Sequence, residues 1–182
     1  MKIIIGVIGT NASGKDTVAA YISKKINFKV YELSRPLKEI AVERKIPLVR
    51  ANLIELGTEL SREYGEGYLA TLLLKRVNEK AVITGMREVK QLEIFTDNSD
   101  YFVLIAVDAK PELRFARSKL RNGIKEGDNL EDFIEIELKE NSGYHTQRLF
   151  ECMKLADYKV TNNGSLEELY KQVDNIIGKL DL

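Results

Sequence analysis

The stretch that most constrains this chain is Gly9-Thr10-Asn11-Ala12-Ser13-Gly14-Lys15-Asp16-Thr17, set between the apolar run Ile3 to Ile8 and Val18-Ala19-Ala20-Tyr21-Ile22. An apolar, β-branched run closed by glycine reads as a strand buried on both faces of a parallel sheet. Beyond Lys15, the apolar residues Val18, Ala19, Ile22 and Ile26 recur at helical spacing. A loop bearing glycine and lysine therefore joins a strand to a helix, the setting that a phosphate-binding loop requires.

Each residue type has a part in that chemistry. Gly9 and Gly14 allow backbone angles closed to residues with a Cβ, so successive N–H groups can curl about a phosphate. The helix that follows adds its N-terminal partial positive charge and unpaired amides. Lys15 is a mobile point charge for the outer phosphates. The Ser or Thr that usually follows the lysine and ligates Mg²⁺ is here Asp16, with Thr17 one step on. Asp16 reads either as a hard oxygen ligand for Mg²⁺, direct or through water, or as a carboxylate that favours the helix N-terminus.

Composition narrows the partners. At 182 residues the chain is most simply a single domain, 1–182, large enough to bury a substantial core. Its formal net charge of zero argues against nucleic acid or a membrane surface as a partner. Cys152 is the one cysteine, so no intrachain disulfide forms, and it reads as a small buried hydrophobe. The N-terminal apolar run is too short to span a membrane and no small-residue cleavage site follows it. The expectation is a soluble, cytoplasmic protein. Abundant Lys, Glu and Ile without Trp point toward a thermophile.

Along the chain, strands and helices alternate. Phe28 to Leu33 reads as a second strand; Pro36 then opens a helix, with Ser34 or Arg35 just outside it. Pro47 begins a helical stretch in which Leu48, Leu53, Leu56 and Leu60 share a face. After a break at Arg62 to Tyr68, a helix runs through Leu69, Leu72, Leu73, Arg76 and Val77. Ala81 to Thr84 and Tyr101 to Val107 are the third and fourth strands, and Pro111 starts the next helix. Asn122 to Asn129 reads as a mobile loop, after which Leu130, Phe133, Ile134 and Leu138 resume helical spacing. Tyr158 to Thr161 is a fifth strand. Ser165 and Glu168 form a capping box for a last helix whose stripe is Leu166, Leu169, Tyr170, Val173, Ile176, Ile177 and Leu180. This alternation argues for an α/β fold, a parallel sheet with helices on both faces and ligands at the carboxyl ends of its strands.

Near those ends stand Arg35, Arg62 before the Tyr64-Gly65 break, and Arg87. Arginine presents a planar fork that matches phosphate bidentately, so the three are candidates for orienting a phosphorylated acceptor. Arg114, Arg117 and Arg121 share a helix face before the polar loop, which suggests a lid over about 114–140 closing on the transferring phosphates. The alternative for this stripe is pairing with Glu112 and other exposed acids. Thr84 ends the third strand where a metal-positioning Asp usually sits. Asp108 is either a helix cap or a polar site group, and Glu135 and Glu137 fall on an exposed helix face. The lone His145 has no second His or Cys at ligand spacing, so a transition-metal site is not expected.

Taken together, these segments make the chain resemble the P-loop kinases of nucleoside and deoxynucleoside monophosphates and of dephospho-coenzyme A. The resemblance lies in Gly9 to Thr17, in Leu33-Ser34-Arg35-Pro36-Leu37-Lys38 and in Thr84-Gly85-Met86-Arg87. It continues in Val107-Asp108-Ala109 with Arg114-Phe115-Ala116-Arg117, and in Ala156-Asp157 through Gly164-Ser165. It implies a five-stranded parallel sheet of the P-loop NTPase type, a small helical lid, and ATP with Mg²⁺ as donor. Residues 9–17 would bind the donor, Asp16 or Thr17 the metal, and Asn162 would lie beside the adenine. Arg87, Arg117 and Arg121 would act with Lys15 on the transferring group, and Arg35, Arg62 and Arg87 would hold the acceptor. A monophosphate is expected ahead of dephospho-coenzyme A, whose ribose hydroxyl would need a base such as Asp108. A nucleotide-switched binding protein or slow NTPase is the expectation from another class, although no Asn-Lys-x-Asp guanine signature is present.

Overall fold

The computed structural model describes residues 1–120, 127–141 and 148–180. In chain order it contains β1 (Ile3–Gly9), α1 (Lys15–Ile26), β2 (Lys29–Glu32), α2 (Ser34–Glu43), α3 (Arg50–Tyr64), α4 (Tyr68–Leu74) and β3 (Lys80–Thr84). There follow α5 (Val89–Asp97), β4 (Tyr101–Asp108), α6 (Pro111–Lys119), α7 (Leu130–Asn141), α8 (Leu149–Lys154), β5 (Tyr158–Thr161) and α9 (Leu166–Ile177). The strands pair in parallel in the order β2-β3-β1-β4-β5. This is the five-stranded, helix-flanked sheet expected from the sequence.

β1 takes the centre because it is apolar on both faces, and every residue in it is buried. Ile3, Ile5 and Val7 turn to one side, where α1 and α9 cover them with Val18, Ile22, Leu169 and Val173. Ile4 and Ile8 turn to the other, against Leu73 of α4, Phe95 of α5, and Leu149 and Cys152 of α8. The period-two alternation of a strand delivers each set to its own core. β2 is the opposite case, an edge strand that is mostly exposed, where Lys29 and Glu32 cost little. Between β2 and β3, helices α2 and α3 close a third, smaller cluster around Ala41, Leu56 and Leu60.

Several boundaries move. α2 starts at Ser34, so Ser34 and Arg35 lie inside the helix rather than before it, and Pro36 sits at its third position. α3 starts at Arg50, and Leu48 is exposed outside the helix instead of sharing its apolar face. α4 stops at Leu74, before Arg76 and Val77. Leu166 is 58% exposed and drops out of the α9 stripe, because it is the first residue after the cap and faces solvent. The Ser165–Glu168 capping box forms as expected. Two elements that the sequence reading leaves unassigned are α5 and α8. Of the expected loop 122–129, residues 122–126 lie outside the described residues, as does His145. Among the described residues no helix is long and apolar enough to cross a membrane.

Cys152 is fully buried beneath β1, and burial pushes its thiol up to about 12, helped by Glu151 and Glu88. A thiol held in that state is a poor nucleophile. Labelling by an aromatic disulfide at pH 8 is therefore expected to be slow in the native protein and complete on unfolding in urea. Rapid stoichiometric labelling under native conditions would contradict this burial.

Candidate functional site

The loop after β1 is shaped by close approach on two sides. Gly14 lies at φ 97° as α1 begins, and a Cβ there would strike Nδ2 of Asn162. A Cβ on Gly9 would strike the carbonyl oxygen of Val107 on β4. Glycine is the residue that satisfies both limits. Lys15 Nζ lies 3.5 Å from Asp16 Oδ2, with the lysine side chain largely covered and the aspartate exposed.

Four contacts hold the loop from outside. Thr10 Oγ1 donates to Asp108 Oδ1 at 2.6 Å, and Asn162 Nδ2 donates to the Ser13 carbonyl at 2.8 Å. Arg114 Nη1 donates to the Asn11 carbonyl at 3.3 Å, while the Asn11 N–H donates to Glu137 Oε1, also at 3.3 Å. These tethers come from β4, from the segment after β5, from α6 and from α7. Asp108 is thus a site group and not a cap: the residue capping α6 is Lys110, and Asp108 Oδ1 also accepts from the Ala109 N–H at 2.9 Å.

The arginine stripe divides. Arg114 is buried, donating through Nε to the Ala109 carbonyl at 2.9 Å. Its two terminal nitrogens fork onto Glu137 at 2.7 and 2.8 Å, and it lies over the Phe133 ring. Neither the lid-face role nor pairing with Glu112 describes it. Glu137 is correspondingly buried rather than exposed, because it falls one turn after Phe133 on the inward face of α7. Glu135 is exposed and pairs with Lys139, as expected of that face. Arg117 Nη2 donates to the Asn162 carbonyl at 3.0 Å. Arg117 Nη1 and Ser13 Oγ are both buried without a hydrogen-bond partner among the described residues. Orphaned buried donors next to a phosphate loop are what a ligand would satisfy. Arg121 lies outside the described residues.

The acceptor candidates are spread over three elements. Arg35, on the first turn of α2, is 74% exposed and turned onto Glu39, which Arg76 also holds at 2.6 Å. Arg62 is exposed in the last turn of α3. Arg87 is half-buried between β3 and α5, and its backbone is gripped at both ends: its N–H donates to Gln91 Oε1 and its carbonyl accepts from the Arg148 N–H. Glu88, the next residue, accepts from Gln91 Nε2 at 3.0 Å and from the Gly67 N–H at 3.4 Å. Burial raises its carboxyl pKa above the ordinary 4.5, against the lowering by Gly67, Arg148 and Gln91. Sequence reading missed Glu88, Gln91 and Glu137. The signals were the Glu88-x-x-Gln91 spacing at a helix start and an acid at i+4 from Phe133.

For a divalent cation, Asp16 and Thr17 stand on the first turn of α1 as a carboxylate and a hydroxyl, hard oxygen donors of the kind Mg²⁺ takes. Among the described residues no group of three or more His, Cys, Asp or Glu is placed to hold a metal.

Comparison with known proteins agrees with this architecture. No family model matches the chain. It is 29% identical over 180 residues to a UPF0200 protein of Staphylothermus marinus, covering 97% of this chain and 92% of that one. It is 30% identical over 184 residues to a UPF0200/UPF0201 protein of Archaeoglobus fulgidus, of which it covers 55%. Shikimate kinase from Bacteroides thetaiotaomicron superposes with a TM-score of 0.63 at 17% identity, over 99% of each chain. Shikimate kinase from Aquifex aeolicus gives 0.60 at 17% identity, over 97% of this chain and 96% of that one. The chain has the P-loop kinase fold. At these identities the structural likeness is one of fold.

Two expectations follow. Arg114→Ala leaves a buried carboxylate uncompensated and should destabilise by about 3–5 kcal/mol, whereas Arg114→Met with Glu137→Met should recover most of that loss. Urea unfolding of both variants checks this; equal destabilisation would refute it. For Glu88 the folded carboxyl titrates above its unfolded value, so wild-type stability attributable to it is present below pH 4.5 and is lost as pH rises through the raised pKa. The melting temperature of Glu88→Gln relative to wild type should therefore rise between about pH 4 and about pH 7. A difference independent of pH would refute the assignment.

Proposed function

We propose that this protein is an ATP-dependent phosphotransferase that moves the γ-phosphoryl group to a small phosphorylated acceptor, a nucleoside or deoxynucleoside monophosphate first among them. The observation that carries the reading is the glycine-bounded loop at the carboxyl end of the central strand, with Gly14 in the left-handed region and Lys15 at the mouth of α1. The loop amides and Lys15 would bind the donor phosphates. Asp16 and Thr17 would hold Mg²⁺, which when bound would neutralise charge on the outer phosphates. The unpartnered Nη1 of Arg117, beside Asn162, supports a nucleotide lying along that side. Arg121 would close over the reacting group. Arg87, with its backbone held at both ends, would meet the acceptor phosphate with Arg35 and Arg62 swinging in from α2 and α3. Such a site works by positioning and charge stabilisation more than by covalent chemistry.

Dephospho-coenzyme A is the second reading. It asks for a general base, and Asp108 already accepts from Thr10 and from Ala109, which favours the monophosphate. A nucleotide switch is the rival of another class and would hydrolyse ATP slowly whatever acceptor is offered.

ADP release from Mg-ATP should be stimulated by one member of a panel of ribo- and deoxyribonucleoside monophosphates, dephospho-coenzyme A and shikimate. Lys15→Ala should cut the stimulated rate by about a hundredfold or more. Tight ATP binding with the same slow hydrolysis across the panel would move the assignment to a switch, and no ATP binding would end it.

A further inference from the structure

The Arg114–Glu137 pair differs from the surface ion pairs in where it lies and what it touches. Its side chains are 5% and 7% exposed, whereas pairs such as Lys90–Glu93 and Lys139–Glu135 leave both partners about half exposed or more. A buried ion pair is a weak source of stability, since desolvation offsets the Coulomb gain. Its location therefore asks for another explanation. The Arg114 fork takes both carboxylate oxygens, and Glu137 Oε1 takes one bond more, from the Asn11 N–H. An N–H in a glycine-bounded loop is a donor for anions. Glu137 thus presents an anion belonging to the chain itself to a loop built for anions.

We propose that Glu137 is a positioning residue that stands in for a phosphate oxygen at the Asn11 amide and yields that amide when a polyphosphate enters, coupling α7 to the loading of the loop. The proposal rests on the phosphate-transfer reading above. Bond lengths set the order of events. The loop contact at 3.3 Å is long beside the 2.7 and 2.8 Å bonds between Glu137 and Arg114, so it parts first and the ion pair survives. Arg114 keeps its anchor on the Ala109 carbonyl. Incoming phosphates bring negative charge against a buried, poorly screened carboxylate, which drives Glu137 and with it α7 away from Asn11. The cost of that displacement lowers nucleotide affinity; its product is a helix whose position reports whether the loop is filled.

Calorimetry with Mg-ATP and with tripolyphosphate, on the whole chain and on Glu137→Gln, tests this. Removing the competing anion while keeping the side-chain shape should tighten both ligands about tenfold, where loss of a merely structural support would weaken them. In the wild-type chain, the Asn11 amide resonance should move on saturation with tripolyphosphate as its acceptor changes. Equal or weaker binding by folded Glu137→Gln overturns the proposal. Should that variant fail to fold, the wild-type amide decides alone, and an unmoved resonance at saturation overturns it. A wild-type chain that binds neither ligand overturns this proposal and the phosphotransfer reading together, whereas tight wild-type binding that Glu137→Gln leaves untightened overturns this one only.

Discussion

A phosphate-binding loop spends its N–H groups on a ligand, so its shape has to be held by everything else. That constraint organises this molecule. The loop's carbonyls at Asn11 and Ser13, and its hydroxyl at Thr10, are taken up by Arg114, Asn162 and Asp108. Asn162 does this twice over, since its own N–H donates to the Asp108 carbonyl at 2.8 Å and so ties the segment after β5 to the end of β4. The result is a hydrogen-bonded back wall behind Gly9 and Gly14, two positions of the loop where a Cβ would strike its neighbours. Support of this kind is what lets a loop meet a charged ligand without reorganising at the moment of reaction.

The strand order then splits the work across the sheet. β4 and β5 lie to one side of β1, and the loop's holders Asp108, Asn162 and Arg114 come from their ends and from α6. β3 and β2 lie on the other side, followed by the turns and helices that bear Arg87, Arg35 and Arg62. The half that holds the loop is densely hydrogen-bonded, and on the other half Arg35 and Arg62 are exposed, with a small apolar cluster under α2 and α3.

How much of this was legible in the sequence depends on whether the cause was local. β1, α6 and the α9 capping box could be read directly, because a continuous apolar run closed by glycine, Pro at a helix start and Ser-x-x-Glu are short-range signals. α5 was missed since its capping box, Glu88-x-x-Gln91, has glutamate where the usual signal has Ser or Thr, and its bonds to Arg87 and Gly67 are not part of that spacing. α8 is six residues long and too short to display a period. Arg114 and Glu137 are separated by a loop and look like ordinary surface charges when each is read on its own. Their burial follows from α7 folding back on α6, a tertiary fact. One local clue existed: an acid at i+4 from Phe133 interrupts an inward stripe, and a charge in such a place calls for a partner of opposite sign. Leu138, which the apolar period put inward, is 52% exposed for the same reason, as the face had rotated toward Glu137.

Thr84 raises a question of geometry rather than of loss. β3 and β4 both flank β1, but they do not end at the same height. Thr84 pairs with Val7, well below the loop, is buried, and gives its carbonyl to the Leu33 N–H. β4 runs further: Val107 pairs with Gly9, and Asp108 stands one residue beyond, level with the start of the loop. A carboxylate at Asp108 therefore meets Thr10 from the side, while one at position 84 would have faced the loop from beneath. The Asp108 carboxylate is engaged there in holding the loop through Thr10. Asp16, on the first turn of α1, is the exposed carboxylate beside the loop lysine, its Oδ2 lying 3.5 Å from Lys15 Nζ.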